Sequence, residues 1–233
     1  MRRPRVFVEE LGERPVARGS EAHHLYHVLR LRPGDRVILF DGRGREADGV
    51  VSEASATEVR FAAAAARPVR REPPFELTLY VALLKGDKLA GVVRAGSELG
   101  VSRFVLLITE RSVPRGMGRA KLERLRRIAL EAAKQSGRSR LAEVSEPRTL
   151  DELEPVPFGL VAHPAAARTL EGVAWPESGR LALASGPEGG FSPAEVERLS
   201  GLGFAPVYLG PRILRAETAP LVLAAAATAA RGL

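Results

Sequence analysis

Two rhythms divide the chain. Residues 5–8, 36–40, 46–53 and 58–61 are short stretches in which apolar and polar positions alternate, the period of half-buried strands. Turn-forming residues separate them, at Pro33-Gly34-Asp35, Asp41-Gly42-Arg43-Gly44 and Asp48-Gly49. One stretch of helical spacing interrupts the strands at 21–31, with Leu25, Val28 and Leu29 on one face. Short strands with tight turns predict a small β-barrel or a curled sheet over residues 1–66.

Residues 67–74 carry three prolines among charges, which disfavours helix and central strand and predicts an extended linker. Beyond it, in residues 75–233, the rhythm changes. Nearly continuous apolar strands at 77–84, 104–108, 158–162, 180–184 and 207–209 alternate with helices at 85–99, 120–136, 193–202 and 218–231. Continuous apolar strands between helices indicate a mostly parallel sheet covered on both faces. The predicted class is therefore α/β, with a small barrel followed by a larger α/β domain.

Composition sharpens this picture in three places. Aromatic residues are only 5% of the chain, so the core must be aliphatic. The chain has no cysteine, which excludes disulfides, thiolate metal sites and a thiol nucleophile. The basic N-terminus leads straight into a strand pattern, and the longest apolar run, 221–230, is too short to span a bilayer. A soluble protein of the reducing cytoplasm is expected, with no membrane partner.

The net charge of +7 is concentrated. Residues 110–140 hold ten Lys or Arg against three Asp or Glu, an excess as large as that of the whole chain. A focused basic patch is the footprint of a polyanion partner, whereas a solvated helix face is the plain alternative. Within it Arg111, Arg115 and Arg119 are candidate phosphate contacts, together with Lys121, Arg124, Arg126 and Arg127.

Two segments near the C-terminus carry chemistry. In the first, 184–195, a buried strand enters Gly186-Pro187-Glu188-Gly189-Gly190-Phe191 and then a helix capped by Ser192, Pro193 and Glu195. One glycine suffices for a turn; three let a ligand approach the backbone. In the second, 207–220, a strand enters Leu209-Gly210-Pro211-Arg212-Ile213-Leu214-Arg215 and then a helix start. Cations at a helix N-terminus oppose its dipole, so Arg212 and Arg215 serve an anionic partner or pair with Glu217 or Glu188. Both loops leave the same end of a parallel sheet, where ligands of such folds bind. Neither matches a nucleotide-triphosphate fingerprint. His23 and His27 have the spacing of some zinc pairs, but no third ligand accompanies them and no metal is expected.

Together these motifs resemble the knotted SPOUT class of methyltransferases, and most of all the family that methylates ring nitrogen N3 of a uridine in small-subunit ribosomal RNA. Three further runs strengthen the resemblance: residues 23–35, from His23 to Asp35, Lys85-Gly86-Asp87-Lys88, and Lys134-Gln135-Ser136-Gly137-Arg138. The resemblance implies a PUA-like RNA-binding barrel at 1–66, a methyltransferase domain with a trefoil knot at 75–233, and a homodimer. It also implies S-adenosylmethionine as cofactor, held by Ala162, His163, Gly186, Glu188, Gly189, Gly190, Leu209, Gly210, Ile213, Leu214 and Thr218. Arg2, Arg3, Arg5, His24 and Arg30 on the barrel would join Arg111, Arg115 and Arg119 in binding ribosomal RNA.

Methyl transfer to the uracil nitrogen requires loss of its proton. Arg215 is the candidate for stabilising the resulting anion, with Glu188 or Glu217 as weaker candidates for the base. The rival readings are a non-catalytic RNA-binding assembly factor and a small-molecule enzyme with an incidental basic surface. Two backbone-exposing loops speak against the first, and a separate barrel against the second.

Overall fold

The computed structural model describes residues 3–69 and 71–231. Arg2 therefore lies outside the described residues. The chain forms two compact units, one of residues 1–72 with 133–141, the other of 73–132 with 142–233.

In the first unit the strands are β1 (Arg5–Phe7), β2 (Val16–Arg18), β3 (Arg36–Phe40), β4 (Arg45–Ala54), β5 (Glu58–Ala63) and β6 (Arg67–Pro68). They make one half-barrel sheet in the order β1-β3-β4-β5-β2, with β6 on β4; β1 and β3 are parallel and the other pairs antiparallel. The alternating apolar residues close one core of Val6, Val8, Leu25, Val37, Leu39, Val51, Val59 and Phe61. Two local readings change. Asp48-Gly49 is not a turn, because β4 runs through it; a Cβ on Gly49 would sit 2.8 Å from Leu39 Cδ1, so the glycine makes room for a core leucine. Arg67–Pro68 is a short strand within the proline-rich segment, and as a sheet-edge pairing it tolerates the missing proline N–H.

The helical stretch expected over 21–31 is shorter and irregular. Helix α1 (Gly19–His23) continues as one π-helical turn, His24–Val28, and the chain then leaves the helix at Arg30 with φ +54°. Arg5 also departs from expectation. Its guanidinium, 4% exposed, lies 3.0 Å from Glu46, donates to Ser139 Oγ and the Arg138 carbonyl, and sits over the Phe40 ring. A cation so enclosed cannot meet RNA phosphate, so Arg5 is a structural residue.

The second unit holds β7 (Phe75–Ala82), α2 (Lys88–Glu98), β8 (Arg103–Leu107), most of α3 (Arg119–Ser136), β9 (Glu143–Val144), β10 (Gly159–Ala162), β11 (Gly179–Ser185), α4 (Pro193–Gly201), β12 (Phe204–Val207) and α5 (Ala219–Ala229). All six strands are parallel, in the order β12-β10-β11-β7-β8-β9. Side chains alternate across the sheet: Ala182 and Ala184 of β11 enter a core with Phe191, Leu199 and Phe204, while α5 packs against α2 and against β7, β10 and β11. The last strand lies earlier than the 207–209 expected. Pro206 hid it, yet β12 is an edge strand and has no need of every N–H.

Candidate active site

Because β10, β11 and β12 are parallel neighbours, the loops after them emerge at one end of the sheet. Between these loops lies a cleft of about 610 Å³, a volume suited to a cofactor-sized molecule. Ala162, His163, Gly186, Glu188, Gly189, Gly190, Leu209, Gly210, Ile213 and Leu214 all line it; Thr218 lies outside the lining, at the N-cap of α5.

The loop after β11 is folded tightly on itself. Gly190 N–H donates to the Pro187 carbonyl, and a Cβ on Gly186 would meet the Phe191 nitrogen at 2.9 Å. Ser192 and Glu195 form the reciprocal cap that starts α4, and Glu195 also accepts from the Glu110 N–H at 2.7 Å. Gly210 turns the second loop at φ +113°, a backbone that disfavours any side chain. Most telling are the unused donors. The N–H groups of Gly186, Gly189, Leu209, Gly210, Ile213 and Leu214 make no hydrogen bond among the described residues. Backbone donors left open around a cleft are what a polar ligand takes up.

Lys88, at the start of α2, ties both loops together. Its ammonium is 2.8 Å from Glu188 and 3.5 Å from Glu217, and Glu188 also accepts from the Lys85 N–H at 3.3 Å. Burial works to raise the Glu188 carboxyl, but the Lys88 hydrogen bond and the backbone donors outweigh it and hold the group below its ordinary range. Glu188 and Glu217 thus serve Lys88, and Arg212 and Arg215 are exposed with no side-chain partner among the described residues. Local pairing does not account for these two arginines.

The basic segment divides by role. Arg111 lines the cleft and donates to the Gly189 carbonyl at 3.0 Å, so it buttresses the glycine loop. Arg115 holds the carbonyls of Thr109 and Glu110, Arg124 pairs with Asp87, and Arg119 and Arg127 are exposed without a side-chain partner among the described residues. On the first unit Arg3 is paired with Asp48, Arg30 is exposed, and His24 is half-buried. No group of three or more His, Cys, Asp or Glu gathers at a metal-binding distance among the described residues. No helix in them is long and apolar enough to cross a membrane.

Comparison with known proteins decides the family. Residues 71–228 match the RNA methyltransferase domain, and residues 17–62 match the PUA domain of RNA methyltransferases. The chain is 33% identical to the ribosomal RNA small subunit methyltransferase E of Bacillus subtilis, over 93% of each chain. The chain belongs to the small subunit methyltransferase E family. Its fold is shared with the Neisseria gonorrhoeae methyltransferase E bound to S-adenosyl methionine, at TM-score 0.88, 29% identity and 98% coverage of each chain. A Legionella pneumophila structure in complex with the cofactor SAM superposes equally well, at TM-score 0.88 and 31% identity over 99% of this chain and 98% of that one. The SPOUT resemblance and the α/β architecture expected from sequence hold for this member of the methyltransferase E family. Lys88 is the residue that sequence reading underused: a lysine opening a helix, against the dipole, signals carboxylates nearby.

Proposed function

We propose that the chain methylates ring nitrogen N3 of a uridine in 16S ribosomal RNA, with S-adenosylmethionine as methyl donor. The open backbone donors around the cleft carry this reading, because a platform for RNA binding alone has no use for them. The residues present suit the donor: open N–H groups meet its polar parts, and Leu209 and Leu214 offer apolar walls. When bound, the donor supplies an electrophilic methyl group on a positively charged sulfur.

The chain's residues do the remainder. The two loops hold the reactants in line in a partly closed site, which lowers the barrier by positioning. The N3 proton leaves to solvent before transfer, and the anionic nitrogen would then take the methyl group as the donor's carbon–sulfur bond breaks. Arg215, exposed on the second loop with no side-chain partner among the described residues, stabilises the negative charge left on the uracil. Glu188 holds Lys88 rather than accepting the proton, since its affinity for a proton is below that of an ordinary glutamate.

Phosphates are held by Arg119, Arg127 and Arg30, which are exposed and have no side-chain partner among the described residues, with Arg111 and Arg115 set on the segment that follows β8. A homodimer belongs to this reading, and α5 supports it: the helix has no charged residue, and Leu221, Val222, Ala225 and Ala226 are only half-buried. The cytoplasmic setting and a trefoil knot formed by the C-terminal strands and last helix belong to the same reading. The test is transfer of labelled methyl to small ribosomal subunits and to naked 16S RNA, with the product nucleoside identified. Label on N3 of one uridine is expected. Cofactor binding without transfer to either substrate overturns the proposal in favour of a non-catalytic RNA-binding factor.

A further inference from the structure

Among the described residues six large apolar side chains are exposed, and three of them, Tyr26, Val28 and Leu29, fall within four consecutive positions. Single exposed apolar residues are ordinary, but such a concentration marks an interaction surface. All three lie on or directly after the π-helical turn His24–Val28, whose inward side is already satisfied by the fully buried Leu25. The Tyr26 ring stands edge-on to His27 with centroids 5.0 Å apart, and His27 lies 4.5 Å from His23, so three rings adjoin at the surface. Arg30 ends the turn at φ +54°, the one non-glycine residue in left-handed backbone among those described. Such a residue is held there against its local preference.

The surroundings choose the partner. Arg30, Arg32 and Arg36 are exposed, and their side chains make no ion pair among the described residues. The acids closest in sequence are committed, Glu21 to Lys134 at 2.6 Å and Asp35 to the Arg32 N–H at 2.7 Å. A second copy of this face would bring cation against cation. An unpaired nucleotide matches it: the base has a flat apolar face for the rings, and the phosphate has charge for the arginines. We propose that this turn is a stacking platform for unpaired bases of the RNA substrate, with Tyr26 and His27 taking bases and Arg30 and Arg32 the flanking phosphates. The proposal rests on the reading of the chain as an RNA methyltransferase.

Fluorescence anisotropy of the full chain tests it, with a short labelled single-stranded RNA and a duplex of the same sequence as probes. Tyr26→Ala should weaken single-strand binding roughly 5- to 150-fold, leave duplex binding unchanged and leave the salt slope unchanged. Tyr26→Phe should bind as the wild type. Arg30→Gly suits the left-handed backbone and should keep the thermal midpoint while lowering the salt slope by about one unit. Wild-type binding with unchanged single-strand affinity in Tyr26→Ala overturns the platform alone. A wild-type chain that binds neither probe and transfers no methyl group overturns the functional reading itself.

Discussion

Lys88 donates to Glu188 across 2.8 Å, joining the start of α2 to the loop after β11, two segments 100 residues apart in the chain. The same ammonium reaches Glu217 ahead of α5, so one cation sets the spacing of both loops that bound the cleft.

Removal of that cation should change how the cleft responds to acid. In the wild type Glu188 is held below the ordinary carboxylate range, so it stays charged until the pH falls beneath that range, and cofactor affinity should be flat from neutral pH down to it. In Lys88→Met the carboxylates of Glu188 and Glu217 lose the cation they share, Glu188 keeps only backbone donors, and it takes up a proton at higher pH than in the wild type. Cofactor affinity, measured by calorimetry, should then decline already in mild acid. Lys88→Arg should restore the flat profile. Matching profiles in wild type and Lys88→Met would remove Lys88 from this role.

Arg215→Ala should lower the transfer rate by about 10²–10³, the usual effect of deleting one stabiliser of transition-state charge. Cofactor affinity should stay within a few fold, because Arg215 does not line the cleft. Its rate should climb with alkaline pH, as the uracil nitrogen loses its proton unaided. A single-turnover pH–rate profile checks this; an unchanged rate at neutral pH would exclude Arg215 from the chemistry.

Gly186→Ala places a methyl carbon 2.9 Å from the Phe191 nitrogen and 3.1 Å from the Gly190 carbonyl carbon. Backbone must move to admit it, and the donor array moves with the loop. Cofactor affinity should fall more than about tenfold, or over about 1.4 kcal/mol. At Gly190 a Cβ meets nothing within 4 Å, but φ is +68°, so alanine there should cost about 1 kcal/mol of stability with a smaller loss of binding. Equal affinities for both variants would contradict the tight fold of the loop.

Arg5→Ala removes the buried partner of Glu46, whose side chain is 6% exposed, and leaves it the half-exposed Arg67, so the first unit should lose stability by no more than about 3 kcal/mol in denaturant titration. The salt slope of RNA binding should not move. Burial alone would raise Glu46, but Arg5 with Arg71 and Arg67 nearby lowers it overall. A carboxyl depressed in the folded state stabilises above its unfolded value of about 4.3 and loses that contribution as pH falls through the folded value. The wild type should therefore weaken in acid below that range, and an Arg5→Met Glu46→Leu double variant should weaken less.

Apolar periodicity alone was enough to read two units of different grammar and a parallel sheet, since burial on two faces leaves a continuous signal along each strand. The glycines of 186–190 and 210 were legible for the same kind of reason: close backbone approach and positive φ restrict the residue type at one position. Contacts between distant segments leave no such local trace. That Arg5 is buried against Glu46, that Gly49 yields to Leu39 rather than turning the chain, and that residues 133–141 belong with the first unit were all decided by packing. Likewise only the folded chain assigned Glu188 and Glu217 to Lys88 and left Arg215 uncommitted, because an ion pair depends on which side chains meet in space, whereas periodicity reports only which faces are shielded from water.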